Sequence, residues 1–115
     1  MQRRAFQAAH ARFAEALEIN AELSYKHGVA MDLEGMADLA ASQHQYERAL
    51  RLGGAAAALR QAAGMIGPVE FRTHHQRKMA EARSALEPSV AEANWTEGGS
   101  LTLQGIIGEA LAAVD

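Results

Sequence analysis

Apolar residues recur along this chain at intervals of three and four, the spacing that gathers side chains on one face of an α-helix. Phe6, Ala9, Phe13, Ala16 or Leu17, and Leu23 predict a first helix from near the start to His27, with Gly28 as its C-terminal stop. Leu33, Met36, Ala37 and Ala40 predict a second, ending around the polar "SQHQ" at 42–45. Tyr46, Ala49, Leu50, Gly53, Ala56 and Leu59 predict a third that stops near Gly64, where "GMIGP" at 64–68 is the clearest break in the chain. Phe71, His75, Met79, Ala82 and Leu86 form the stripe of a fourth helix. Pro88 suits the first turn of a short fifth, carrying Val90, Ala91 and Trp95, because a missing N–H has no helical partner to lose there. The Gly98-Gly99 pair then reads as a stop, and Thr102 as the cap of a last helix with Leu103, Ile106 or Ile107, Ala110, Leu111 and Val114 along its stripe.

Composition agrees with that pattern. Of 115 residues 49% are hydrophobic, but aromatic residues make up only 5%; the composition leans on alanine, leucine, glutamate, arginine and glutamine, with valine and isoleucine scarce, which favours helix over sheet. The expectation is a single all-α domain over residues 1–115, with about six helices. A net charge of −3 supplies no overall field toward nucleic acid or an anionic membrane. The absence of cysteine removes disulfides, thiolate nucleophiles and thiolate metal ligands. No apolar run approaches the roughly 20 residues that span a bilayer, and "MQRRAFQAAHARF" breaks into charge too early for a signal peptide. A cytoplasmic protein is expected.

Candidate chemistry adds little. A phosphate-gripping reading of Gly98-Gly99 needs a preceding strand and a lysine or hydroxyl at a fixed offset, and the segment before it reads as helix with no lysine after it. His10, His27 and His44 fall on a helix face, a helix end and a turn, and read as surface histidines rather than metal ligands. Glu70 and His74 share a helix face with no third ligand nearby. "RTHHQRK" at 72–78 is basic but lacks interleaved aromatic residues, so direct nucleic-acid binding is not expected. With no nucleophile beside a base, no metal set and no phosphate loop, no catalytic residue, cofactor or metal is assigned.

An internal repeat is more informative. Sliding the chain by about 40 residues pairs Phe6 with Tyr46, Ala9 with Ala49, Phe13 with Gly53, and Ala16 with Ala56. Aromatic residues followed by small alanines at helical spacing let two antiparallel helices approach closely. This resembles the tetratricopeptide repeat: Leu33, Met36 and Ala37 stand at the signature positions of its first helix, Tyr46 at its turn tyrosine, and Ala49 and Ala56 at the packing alanines of its second. Met36, Ala40 and Gly53 depart from the usual residues, and the repeat is longer. The tail, with Trp95, Glu97, Gly98, Thr102 and Leu103, resembles the C-terminal end of the tetratricopeptide-like region of bacterial LuxR-type transcriptional regulators, related signalling ATPases and adenylate cyclase fusions.

The resemblance implies antiparallel helical hairpins in a right-handed α-solenoid fragment, with repeat helices over 1–64 and capping helices over 65–115. It implies a non-catalytic interaction or assembly module with a protein or peptide partner. Its groove would fall on Met31, Glu34 and Asp38, where the two acids would suit a cationic or amide-bearing ligand. Helix one would lack its hairpin partner, leaving Phe6, Phe13 and Leu17 uncovered and favouring a homodimer through that face; the alternative is that helix one folds back on helices two and three and leaves a monomer. The competing expectation is a small helical ligand-binding bundle or enzyme whose site the sequence does not announce.

Overall fold

The computed structural model describes residues 3–65 and 69–112. Among them run six helices and no strand: α1 (Arg3–Glu22), α2 (Lys26–Ser42), α3 (Tyr46–Ala63), α4 (Val69–Ser84), α5 (Pro88–Ser100) and α6 (Leu103–Leu111). The chain is all-α, as its composition predicts. Each of α1 to α4 packs on the next, α2 also touches α4, α3 also touches α5, and the described body measures 36 × 33 × 28 Å.

Three successive helices end in one way. The N–H groups of Tyr25, Gln45 and Met65 donate to the carbonyls of Asn20, Ala40 and Arg60, each at 2.9 Å. The residue before each donor is left-handed: Ser24 (φ 54°), His44 (φ 60°) and Gly64 (φ 66°). This closing turn satisfies carbonyls that a helix end would otherwise orphan, and it favours glycine at the left-handed position. The acceptors stand at positions 20, 40 and 60, so one helix and its turn form the geometric unit, and two such units make the longer sequence repeat. Gly64 therefore closes α3 as expected, whereas Gly28 is no stop. It lies inside α2, where a Cβ would strike the side chain of Asn20.

The core is assembled from Leu17, Leu33, Met36, Leu50 and Leu52 with the alanines of α2 and α3. Where α3 crosses α5, the two backbones touch. A Cβ on Gly54 would overlap the carbonyl of Trp95, one on Gly98 would overlap the backbone of Arg51, and Gly99 sits against the Gly54 carbonyl. Gly98 is thus buried within α5 and is not a stop; the helix runs through both glycines to Ser100. Neither does a helix begin there to grip a phosphate. Glycine at a crossing costs about 1 kcal/mol of helix propensity against alanine, which the close packing of the two backbones offsets. Along α4, Met79 and Ala82 are buried as the stripe predicts, but Phe71 is 62% exposed.

α6 closes the fold. Thr102 caps it as expected, its hydroxyl accepting from the Gly105 N–H at 3.0 Å, and Ile106 and Ala110 are buried. The helix touches both α1 and α3. Arg51 bonds Glu109 bidentately and pairs with Glu97 at 2.8 Å, while Arg48 donates to the Ala110 carbonyl at 3.1 Å. The face proposed for self-association is consequently not an open one: Phe6 and Leu17 are buried within the chain and Phe13 is half-buried against the core. The dimer through that face of helix one loses its premise, because α2 and the returning α6 pack on α1. Val114, expected on the α6 stripe, lies outside the described residues.

Candidate functional site

α2 and α4 leave a cleft between them. Turns of α2 bring Met31, Glu34 and Asp38 to one face, and all three line a cavity of about 590 Å³ with Asp32, Gly35, Leu39 and Ser42 of the same helix. Phe71, His74, His75 and Lys78 of α4 form the opposite wall, and Arg60 of α3 and Phe13 of α1 complete the lining. A volume in the range of about 300–1,000 Å³ is what pockets for a drug-sized group provide.

Gly35 explains how a residue of α1 reaches a cleft between α2 and α4. A Cβ there would occupy the place of the Phe13 ring edge. The glycine therefore opens a window in α2 through which the ring lines the cavity. Together with Met31, Leu39 and the exposed Phe71, it makes the lining largely apolar.

Several charged side chains around that surface are held by neighbours within the fold, while Arg60 Nη1 is buried without a hydrogen-bond partner. Arg60 donates to Glu34 through Nε at 2.6 Å and Nη2 at 2.9 Å, and these bonds hold the guanidinium pKa above its ordinary value. His75 Nδ1 donates to Asp38 Oδ1 at 2.6 Å, with His74 Nε2 at 3.9 Å from the same carboxylate. Asn20 donates to Asp32 at 2.7 Å. Burial pushes the Asp32 carboxyl above the usual carboxylate value, and the Asn20 bond partly offsets this. Lys78 lies 3.7 Å from Glu81 one turn on. Of the two acids of the predicted groove, Glu34 is thus paired with Arg60 of α3 and Asp38 is hydrogen-bonded to His75 of α4, so each carboxylate already has a partner within the fold.

Other sequence candidates separate. His10 sits against α6, where burial, then the neighbouring Arg48, lower its pKa despite the Ala110 carbonyl. His44 stacks on Tyr46 with ring centroids 5.6 Å apart. Among the described residues, no group of three or more histidine, aspartate or glutamate side chains is placed to hold a metal. The Glu70 side chain of the Glu70–His74 pair lies outside the described residues. The basic segment divides: Arg72 and Arg77 face solvent, while His75 and Lys78 turn toward the cavity. Arg60 and His75 are cavity residues that the sequence did not assign to the groove, and Phe13, expected on a self-association face, lines the cavity. Their signals were a lone arginine after an alanine run, an adjacent histidine pair and a glycine in mid-helix.

No family model, curated protein or solved structure matches the chain. No described helix is long and apolar enough to cross a membrane.

Proposed function

We propose that this chain is a non-catalytic protein-interaction module whose α2–α4 cleft receives part of a protein or peptide partner, of the kind found in the tetratricopeptide-like regions of LuxR-type regulators and signalling ATPases. One observation carries the reading: Met31, Glu34 and Asp38 converge on an apolar cavity of about 590 Å³, walled by an exposed Phe71. An apolar concavity rimmed by polar groups is the form of a binding surface, and large exposed apolar residues on it mark where water is displaced.

The repeat-like reading draws support from the helix order. α2 and α3 are followed by α4 and α5 laid against them in the same sequence, and identical turns close α1, α2 and α3. These are the relations of stacked hairpins. The return of α6 to α1 limits the array, so the module acts through the cleft rather than through an orphaned end. A cytoplasmic setting belongs to the same proposal.

Selection of displayed random peptides on the purified chain tests it, with Met31→Arg as the counter-selection. A consensus enriched on wild type and lost on the variant is expected. Enrichment of no consensus, or of one indifferent to Met31→Arg, overturns the reading.

A further inference from the structure

We infer that two copies of this chain associate through the outer face of α1, the two helices lying antiparallel about a two-fold axis. This is the opposite face from the one carrying Phe6, Phe13 and Leu17, and the inference stands apart from the reading of the α2–α4 cleft.

Charge points to it first. α1 carries Arg3, Arg4 and Arg12 in its first half and Glu15, Glu18 and Glu22 in its second. That order opposes the helix's own dipole, whose N-terminal end favours anions and whose C-terminal end favours cations. Nor are these charges paired within the fold. Among the described residues none of the six takes part in an ion pair, whereas Arg51, Arg60, Lys78 and Arg83 of other helices each have a carboxylate partner. A second α1 laid antiparallel to the first corrects both faults. It sets the acidic half of each copy beside the basic half of the other, and its dipole runs the opposite way.

The apolar spacing fixes the register. Ala5, Ala9, Arg12, Ala16, Ile19 and Leu23 follow one another at alternating steps of four and three, the coiled-coil period. All six are exposed or half-buried. Ile19 at 49% and Leu23 at 71% are among the few large apolar side chains that the described fold leaves in water. Leu23 continues the helical course past Glu22, its N–H donating to the Ile19 carbonyl at 3.0 Å. An antiparallel pair centred between Arg12 and Ala16 sets Ala5 against Leu23 of the second copy and Ala9 against its Ile19. Each large side chain then meets an alanine, the alternation that fills a layer between two helices. The same register brings Arg12 beside Glu15 of the second copy and Arg4 beside its Glu22. Parallel helices would instead set Leu23 on Leu23 and Arg4 on Arg4. A single polar residue in such a seam specifies its register at some cost in stability, the part Arg12 plays here.

A 20-residue helix offers a short seam, so association with a dissociation constant on the order of 0.1 mM is expected. Sedimentation equilibrium of the full chain from about 10 µM to about 1 mM tests it, on wild type, Arg4→Glu, Glu22→Arg and an equimolar mixture of the two variants. Wild type is expected to pass from the mass of one chain to that of two. Each variant alone sets like charges together and is expected to associate at least about fivefold more weakly. In the mixture each variant supplies the charge that the other now needs, and association is expected to return. Both positions are exposed, and both changes suit the helix dipole better than the native residues do. Helical content by circular dichroism should therefore hold, which separates lost association from lost folding. Leu23→Ser, which empties the outer layers, is expected to weaken association by a similar factor. A single-chain mass throughout would leave this face to another partner and overturn the inference. A dimer indifferent to both charge reversals, or a mixture no tighter than either variant alone, would overturn it as well.

Discussion

The α3–α5 crossing makes one substitution act in opposite directions at two glycines. Gly98→Ala in α5 would gain about 1 kcal/mol of helix propensity. Its new methyl, however, would overlap the carbonyl oxygen, carbonyl carbon and Cα of Arg51. All three are backbone atoms, so no side-chain rotation relieves the clash and the helices must part. Overpacking of this kind costs roughly 1–3 kcal/mol, and separating α3 from α5 adds lost contact along a seam that includes Gly54, Trp95 and Gly99. The net expectation is a loss of about 1–2 kcal/mol, a fall in melting temperature of roughly 5–10 °C. Gly108→Ala in α6 meets nothing within 4 Å, so only propensity acts and a gain of about 0.5 kcal/mol is expected. Thermal and urea unfolding followed by circular dichroism measures both. If Gly98→Ala is as stable as wild type, or shifts with the same sign as Gly108→Ala, the backbone crossing described here is wrong.

Further consequences follow from the turns, the ion pairs and the burial of α1. Ser24→Gly relieves a left-handed non-glycine residue at the α1 terminus and is expected to stabilise the chain by about 0.5–1 kcal/mol in urea unfolding. Arg60→Met strands the Glu34 carboxylate, which is 19% exposed, and is expected to cost roughly 2 kcal/mol, much of it recovered in Arg60→Met/Glu34→Leu. The Arg51 hydrogen bonds hold Glu109 below the usual carboxylate pKa. Its contribution to stability is therefore present above the unfolded value and lost as pH falls from about 5 toward the folded value; Glu109→Gln should flatten melting temperature over that window. His10, held neutral by burial beside Arg48, should erode stability earlier, as pH falls below about 6.5, and His10→Gln should remove that slope. With Phe6 and Leu17 buried within the chain, light scattering at low micromolar concentration should return the mass of one chain, and a dimer dispersed by Phe13→Glu would restore the interface through Phe6, Phe13 and Leu17.

Local signals were readable in the sequence, and those that depend on distant partners were not. Thr102, Pro88 and Gly64 act through neighbours a few residues away, and each stands where its local chemistry predicts. Gly28 and Gly98 looked like Gly64, because a glycine that ends a helix and one that admits a neighbour are identical in one dimension. What separates them is Asn20 for Gly28 and the Arg51 backbone for Gly98. The face carrying Met31, Glu34 and Asp38 was legible from helical spacing on α2. Its electrostatics were not, since Arg60 and His75 arrive from α3 and α4. Likewise Phe6 and Leu17 read as uncovered only because the return of α6 to α1 leaves no mark in either segment.

The central claim is that the α2–α4 cleft is where a partner docks. Amide chemical-shift mapping of the labelled chain with the best displayed peptide tests it most directly. The largest shifts are expected on Met31, Gly35, Asp38, Phe71 and His75, with α5 and α6 nearly silent. Shifts centred on α6 or on the outer face of α1, with the cleft unchanged, would contradict it.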